Sequence, residues 1–128
     1  FNGNPMTAAA GVATSESLTP ERYDHLERLG DLLRSELRAL FAEVEAPMSV
    51  TGIASLFALQ FTTEEVVDYR TYATNDKNMS DMMFIGLLNE GFLVSNRCAG
   101  NVSTAHAEDD VYAFVTAVRN VLKRAGYA

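Results

Sequence analysis

The sequence predicts an α+β fold in which a small antiparallel sheet is covered by helices, one of them a long helix in the N-terminal half. Three observations lead there. Residues 19–41 and 107–124 carry apolar side chains at spacings of three and four, the period of a helix with one buried stripe. Residues 56–61 instead alternate in the manner of a strand. Between these segments, helix and strand signals follow one another without a linker or an internal repeat, the pattern of one packed domain.

The first element is a helix. Asn4 can accept from the orphan N–H groups of its first turn, and Pro5 stands at the first position, where a missing N–H costs nothing. The run 6–14 is small and Ala-rich, which suits close packing against other structure but offers little apolar area of its own. A second helix begins with Thr19 as cap, Pro20 at the first position and Glu21 facing the positive end of the dipole. Tyr23, Leu26, Leu29, Leu33, Leu37, Leu40 and Phe41 form its stripe, while Arg22, Glu27, Arg28, Glu36 and Arg38 fall largely off it.

Pro47 closes that region and a strand follows over 56–61, with Phe57, Leu59 and Phe61 on one face and Ala58 and Gln60 on the other. Residues 62–78 read as polar and irregular, anchored by Tyr69 and Tyr72. Ser80 can cap a third helix over 81–89, which Gly91 and Phe92 close as a Schellman end. Short strands are expected over 92–95 and 102–104. The last helix starts near Ala107 with Glu108, Asp109 and Asp110 in its first turn, buries Val111, Phe114, Val115, Val118 and Leu122, and ends with Lys123 and Arg124.

Composition narrows the function. The 128 residues are 48% hydrophobic and 21% charged, as in a globular domain with a core of its own. A formal net charge of −7 argues against nucleic acid and anionic membrane as partners. No apolar run approaches the roughly 18 residues of a membrane span, and no signal peptide leads the chain, so a cytoplasmic location is expected. Cys98 is the single cysteine, which excludes an internal disulfide and a cysteine-based zinc site. The sequons at Asn78 and Asn101 are read as chance matches.

Few side chains point to chemistry unaided. Glu64–Glu65 and Asp109–Asp110 are adjacent acids better suited to a solvated surface than to acid–base work. His25 reads as a surface histidine and His106 as a capping or packing group, and the two lack a third metal ligand at suitable spacing. Cys98 reads as a small buried side chain rather than a nucleophile. No Gly-rich phosphate loop follows a strand. Met79, Met82 and Met83 suit either an adaptable contact surface or the core.

Four segments, taken together and in order, carry a resemblance. They are Asn2-Gly3-Asn4-Pro5 with Ala8-Ala9-Ala10-Gly11; Gly52-Ile53-Ala54-Ser55-Leu56-Phe57; Leu87-Leu88-Asn89-Glu90-Gly91-Phe92; and Ser103-Thr104-Ala105-His106 leading into Asp109 and Asp110. In this order and near this spacing they resemble the C-terminal part of the class III family of pyridoxal-phosphate (PLP) aminotransferases, the family of glutamate-1-semialdehyde aminomutase.

The resemblance implies a role within a larger enzyme. In that family a Schiff-base lysine and a Gly-Thr pair that touches the cofactor phosphate stand upstream of the position of Phe1, so Phe1 and Asn2 adjoin a phosphate site whose own residues are absent. Lys77 and Lys123 are the only lysines, and neither matches the Schiff-base motif. By this resemblance the chain alone binds no PLP and has no catalytic residue. Residues 1–18 are a helix of the large domain or the dimer interface, and 19–128 are the C-terminal small domain of a fold-type I enzyme. The large PLP-binding domain is then a partner. Apolar surface left on the first two helices predicts a homodimer or a helix-exchanged assembly.

One segment departs from the family. Aminomutases read Ala-Pro-Ser-x-Phe-Glu before the Ser-x-Ala-His motif, with the Glu facing the active site, whereas this chain has the shorter Ser95-Asn96-Arg97-Cys98-Ala99-Gly100. Loss of that Glu puts a related amino-acid aminotransferase or racemase of the same family on an equal footing with an aminomutase-like parent. Asn96 and Arg97 become candidates for the substrate pocket, with Arg97 able to pair with a carboxylate or to be a surface arginine. An alternative is a free-standing, non-enzymatic descendant of this domain, kept as a binding or assembly module.

Overall fold

In the computed structural model, residues 3–127 are described. The elements run α1 (Pro5–Ser17), α2 (Pro20–Glu43), β1 (Ser49–Thr51), β2 (Leu56–Gln60), α3 (Tyr69–Tyr72), α4 (Lys77–Asn89), β3 (Ala99–Asn101) and α5 (Glu108–Arg124). The three strands form an antiparallel sheet in the order β1-β2-β3. Val50 faces Leu59 in the first pairing and Phe57 faces Gly100 in the second. The α+β expectation holds.

One stripe of α2 builds the centre of the core. Leu29, Leu33, Leu37, Leu40 and Phe41 are buried against the sheet and α5, while Tyr23, expected on the stripe, is exposed, burial on α2 beginning only at Leu29. From α5, Val111, Phe114, Val115, Val118 and Leu122 are buried as the helical period requires. Helices α4 and α5 approach so closely that a Cβ on Gly86 would stand 2.7 Å from both methyls of Val121. By contrast, α1 buries none of its residues.

Caps follow the sequence at some ends, whereas Thr19 stands at the N-cap position of α2 without a side-chain capping bond. The Asn4 carboxamide accepts from the Met6 N–H at 2.9 Å, and the Asp110 carboxylate reaches back to the Ala107 N–H at 2.8 Å. After α4 the Phe92 N–H donates to the Leu87 carbonyl and the Gly91 N–H to that of Leu88, with Gly91 at φ +90°. That is the expected Schellman end.

Several expectations are corrected. Helix α4 begins at Lys77, not at 81, because Asp76 rather than Ser80 caps it, accepting from the N–H groups of both Asn78 and Met79. Tyr69 is no anchor: it is 80% exposed on the short α3, where Asp68 and Thr71 make the capping bonds. Neither 92–95 nor 102–104 is a strand. The third strand is Ala99–Asn101, since Gly100 alone leaves room for the Phe57 ring opposite it. Strand β1 was not anticipated. Of the methionines, Met83 is fully buried and Met79 and Met82 pack against the core, so packing accounts for them.

Candidate functional site

Arg97 sits on a tight turn between α4 and β3. The turn is closed by the Cys98 N–H donating to the Ser95 carbonyl and the Ser95 N–H donating to the Ala99 carbonyl, both at 2.9 Å. The Ser95 hydroxyl accepts from the N–H groups of Arg97 and Ala99. Cys98 adopts φ +53°, a left-handed conformation uncommon for a residue with a side chain. It is held there because its thiol is fully buried and donates to the Ser80 carbonyl of α4 at 3.4 Å. Burial pushes that thiol up to about 11, helped by the nearby Asp81 charge and opposed by the bond to Ser80. Cys98 is therefore a packed anchor and not a nucleophile.

This anchoring brings the 95–98 turn against the first turns of α4. Asn96 and Arg97 line a polar cavity of about 300 Å³ together with Tyr72, Asn75, Lys77 and Asp81. Lys77 is tied to Asp81 one turn on, Nζ to Oδ2 at 2.5 Å. Among the described residues Arg97 makes no ion pair. Arg97, without an ion-pair partner among the described residues, thus lines this cavity beside a carboxylate that is already paired with Lys77. Sequence reasoning picked out Asn96 and Arg97 but missed Lys77 and Asp81, whose only signal was a Lys–Asp pair four residues apart at a helix start.

A second, larger hollow of about 530 Å³ lies between the start of α5 and residues 91–95. Phe57, Phe92 and Phe114 floor it, with the Phe114 ring edge-on to each of the others. His106 and Asp110 stand at its polar margin. Both have structural bonds: His106 Nδ1 accepts from the Ser103 N–H at 2.9 Å, and Asp110 caps α5. The His25 ring, bridged to Arg28, donates from Nε2 to the His106 carbonyl at 3.1 Å, tying α2 to the entry of α5.

The remaining candidates do not converge. Glu64 and Glu65 are exposed, as is Asp109. Phe1 and Asn2 lie outside the described residues. No group of three or more His, Cys, Asp or Glu side chains that could hold a metal occurs among the described residues. The lysines do not fit a Schiff base to a cofactor: Lys77 is exposed and ion-paired, and Lys123 is exposed in the last turn of α5.

A different arginine is buried. Arg34, 4% exposed, donates from Nη1 to the carbonyls of Ala54 and Leu56, each at 2.7 Å, and pairs through Nη2 with Asp31 at 2.6 Å. It pins the β1–β2 turn to α2. Its neighbours are all satisfied, which gives it a structural role and no free valence for a ligand.

The glutamate-1-semialdehyde 2,1-aminomutase of Methanothermobacter thermautotrophicus is 37% identical over 95% of this chain. That of Thermus thermophilus is 35% identical, again over 95%. An omega-transaminase from Sphaerobacter thermophilus superposes on 98% of the chain with a TM-score of 0.92 and 30% identity. The chain matches the C-terminal part of the PLP-dependent aminotransferase and aminomutase family. It spans about 30% of the length of these curated aminomutases and 29% of the transaminase. No protein-family model matches it. Its three-stranded sheet and helices are those of the transaminase fold. No helix among the described residues is long and apolar enough to cross a membrane.

Proposed function

We propose that this chain is the substrate-side, C-terminal small domain of a PLP-dependent amino-acid aminotransferase, and that Arg97 receives a substrate carboxylate. The observation that carries this is the unpaired Arg97 guanidinium in a polar cavity, at the loop where the aminomutase pattern has a Glu. A cation there suits a carboxylate-bearing amino donor or acceptor. Residues 19–128 form the domain proper, and 1–18 pack on the large domain or the dimer interface; support comes from α2 to α5 supplying the whole core while α1 buries nothing.

The rest of the enzyme holds the cofactor, and this chain alone binds none. Its partners are that large domain and a second copy, since Met6, Val12 and Tyr23 on the first two helices are exposed apolar side chains that assembly would cover. A cytoplasmic location belongs to the same proposal and fits a single buried thiol. Substituting Arg97→Ala in the enzyme that contains this chain should raise the apparent constant for a carboxylate substrate by about tenfold or more. Unchanged kinetics would sink the assignment.

A further inference from the structure

Lys77 and Asp81 share the cavity with Arg97, and their charges decide what Arg97 can do. Three elements meet here: residues 72–75, the start of α4, and the 95–98 turn locked to α4 through the buried Cys98 thiol. The cavity holds two cations and one anion. Were Asp81 uncompensated, its carboxylate would be the natural partner of Arg97 and would repel any incoming carboxylate. Lys77 prevents this by holding Asp81 in an ion pair along the helix.

We infer that Lys77 is a specificity-determining residue whose pairing with Asp81 keeps Arg97 available for a ligand carboxylate. The inference rests on the reading of Arg97 given above and adds a counter-ion to it. Lys77 touches Asp81 and need not touch the ligand. Its effect is electrostatic, so it discriminates by charge: an anionic ligand feels it and a neutral one of the same shape does not.

Acetate and its neutral isostere acetamide are the probes, titrated into the isotope-labelled 128-residue chain at constant ionic strength while the Arg97 guanidinium resonance is followed. Acetate should shift that resonance saturably and acetamide should not. Lys77→Gln should weaken acetate binding by roughly threefold to tenfold, the scale of one unit charge several ångströms away in partly screened surroundings. Asp81→Asn should tighten it by a similar factor, and the double variant should return close to the parent value. Both changes lie on the exposed side of α4, and matching far-ultraviolet spectra control for folding. If Arg97→Ala leaves acetate binding unchanged, or acetate does not bind, the Arg97 assignment falls and this inference with it. If Arg97→Ala abolishes binding while Lys77→Gln and Asp81→Asn change nothing, the counter-ion role alone is overturned.

Discussion

The carbonyl oxygen of Ala54 occupies the space beside Gly30 so fully that a Cβ built there would stand 1.8 Å from it. A turn of α2 is therefore in contact with the backbone of the β1–β2 turn, and Arg34, one helical turn further, donates to that same carbonyl. The pair fixes how α2 meets the sheet, and hence the floor on which the rest of the domain is built.

Gly30→Ala should destabilise the domain by about 3 kcal/mol, since backbone cannot give way as a flexible side chain would. Arg34→Met should cost a similar amount, about 3 kcal/mol, because two carbonyls lose their donor and Asp31 its partner. Urea unfolding monitored by circular dichroism measures both. Losses below about 1 kcal/mol would show that the turn relaxes at little cost.

Acid should act through the carboxylates that clasp α5. Glu43 receives both Arg119 nitrogens, at 2.6 and 2.7 Å, and Glu90 receives Asn120 and Arg124. These bonds hold both carboxyls below their ordinary values, through Arg119 for Glu43 and chiefly Asn120, then Arg124, for Glu90. A lowered value in the folded state means the stability is present above about pH 4.5 and lost as pH falls through the folded value. Arg119→Met should flatten that dependence and raise the acid-unfolding midpoint. An unchanged acid limb would show that this exposed pair contributes nothing measurable.

Alkali should act through Cys98. Its thiol stays protonated to about pH 11 when folded and ionises near its ordinary value when unfolded. The folded state then binds the extra proton, and stability falls as pH rises from about 9 toward 11. Cys98→Ala should remove that slope, and in the unsubstituted chain an aromatic disulfide reagent at pH 8 should react only as fast as the domain opens. Immediate stoichiometric reaction would contradict the burial.

How much of this was legible depends on range. Helices α2 and α5 and strand β2 were readable because their apolar periods are long enough to be seen locally. The end of α4 was readable because Gly91 has one conformational reason to be there. The start of α4 was misplaced because Asp76 and Ser80 are both good caps, and only the three-dimensional path of 72–76 favours the first. Strands β1 and β3 are three residues each and exist through pairing with β2, not through propensity. Arg34 carried no signal in the sequence, since the carbonyls that bury it lie 20 and 22 positions away. At the site, Arg97 stood out only against the family pattern, and the pairing of Lys77 with Asp81 gained meaning once Cys98 docked the turn beside it.

The most direct test of the central claim, that the cofactor's lysine lies outside this chain, is a PLP titration of the purified chain followed by borohydride reduction and peptide mass mapping. The account predicts no stoichiometric reducible adduct, with Lys77 and Lys123 unmodified at one equivalent of PLP. A specific one-to-one adduct on either lysine would mean that the chain carries a cofactor site of its own, and the division of labour proposed for it would be wrong.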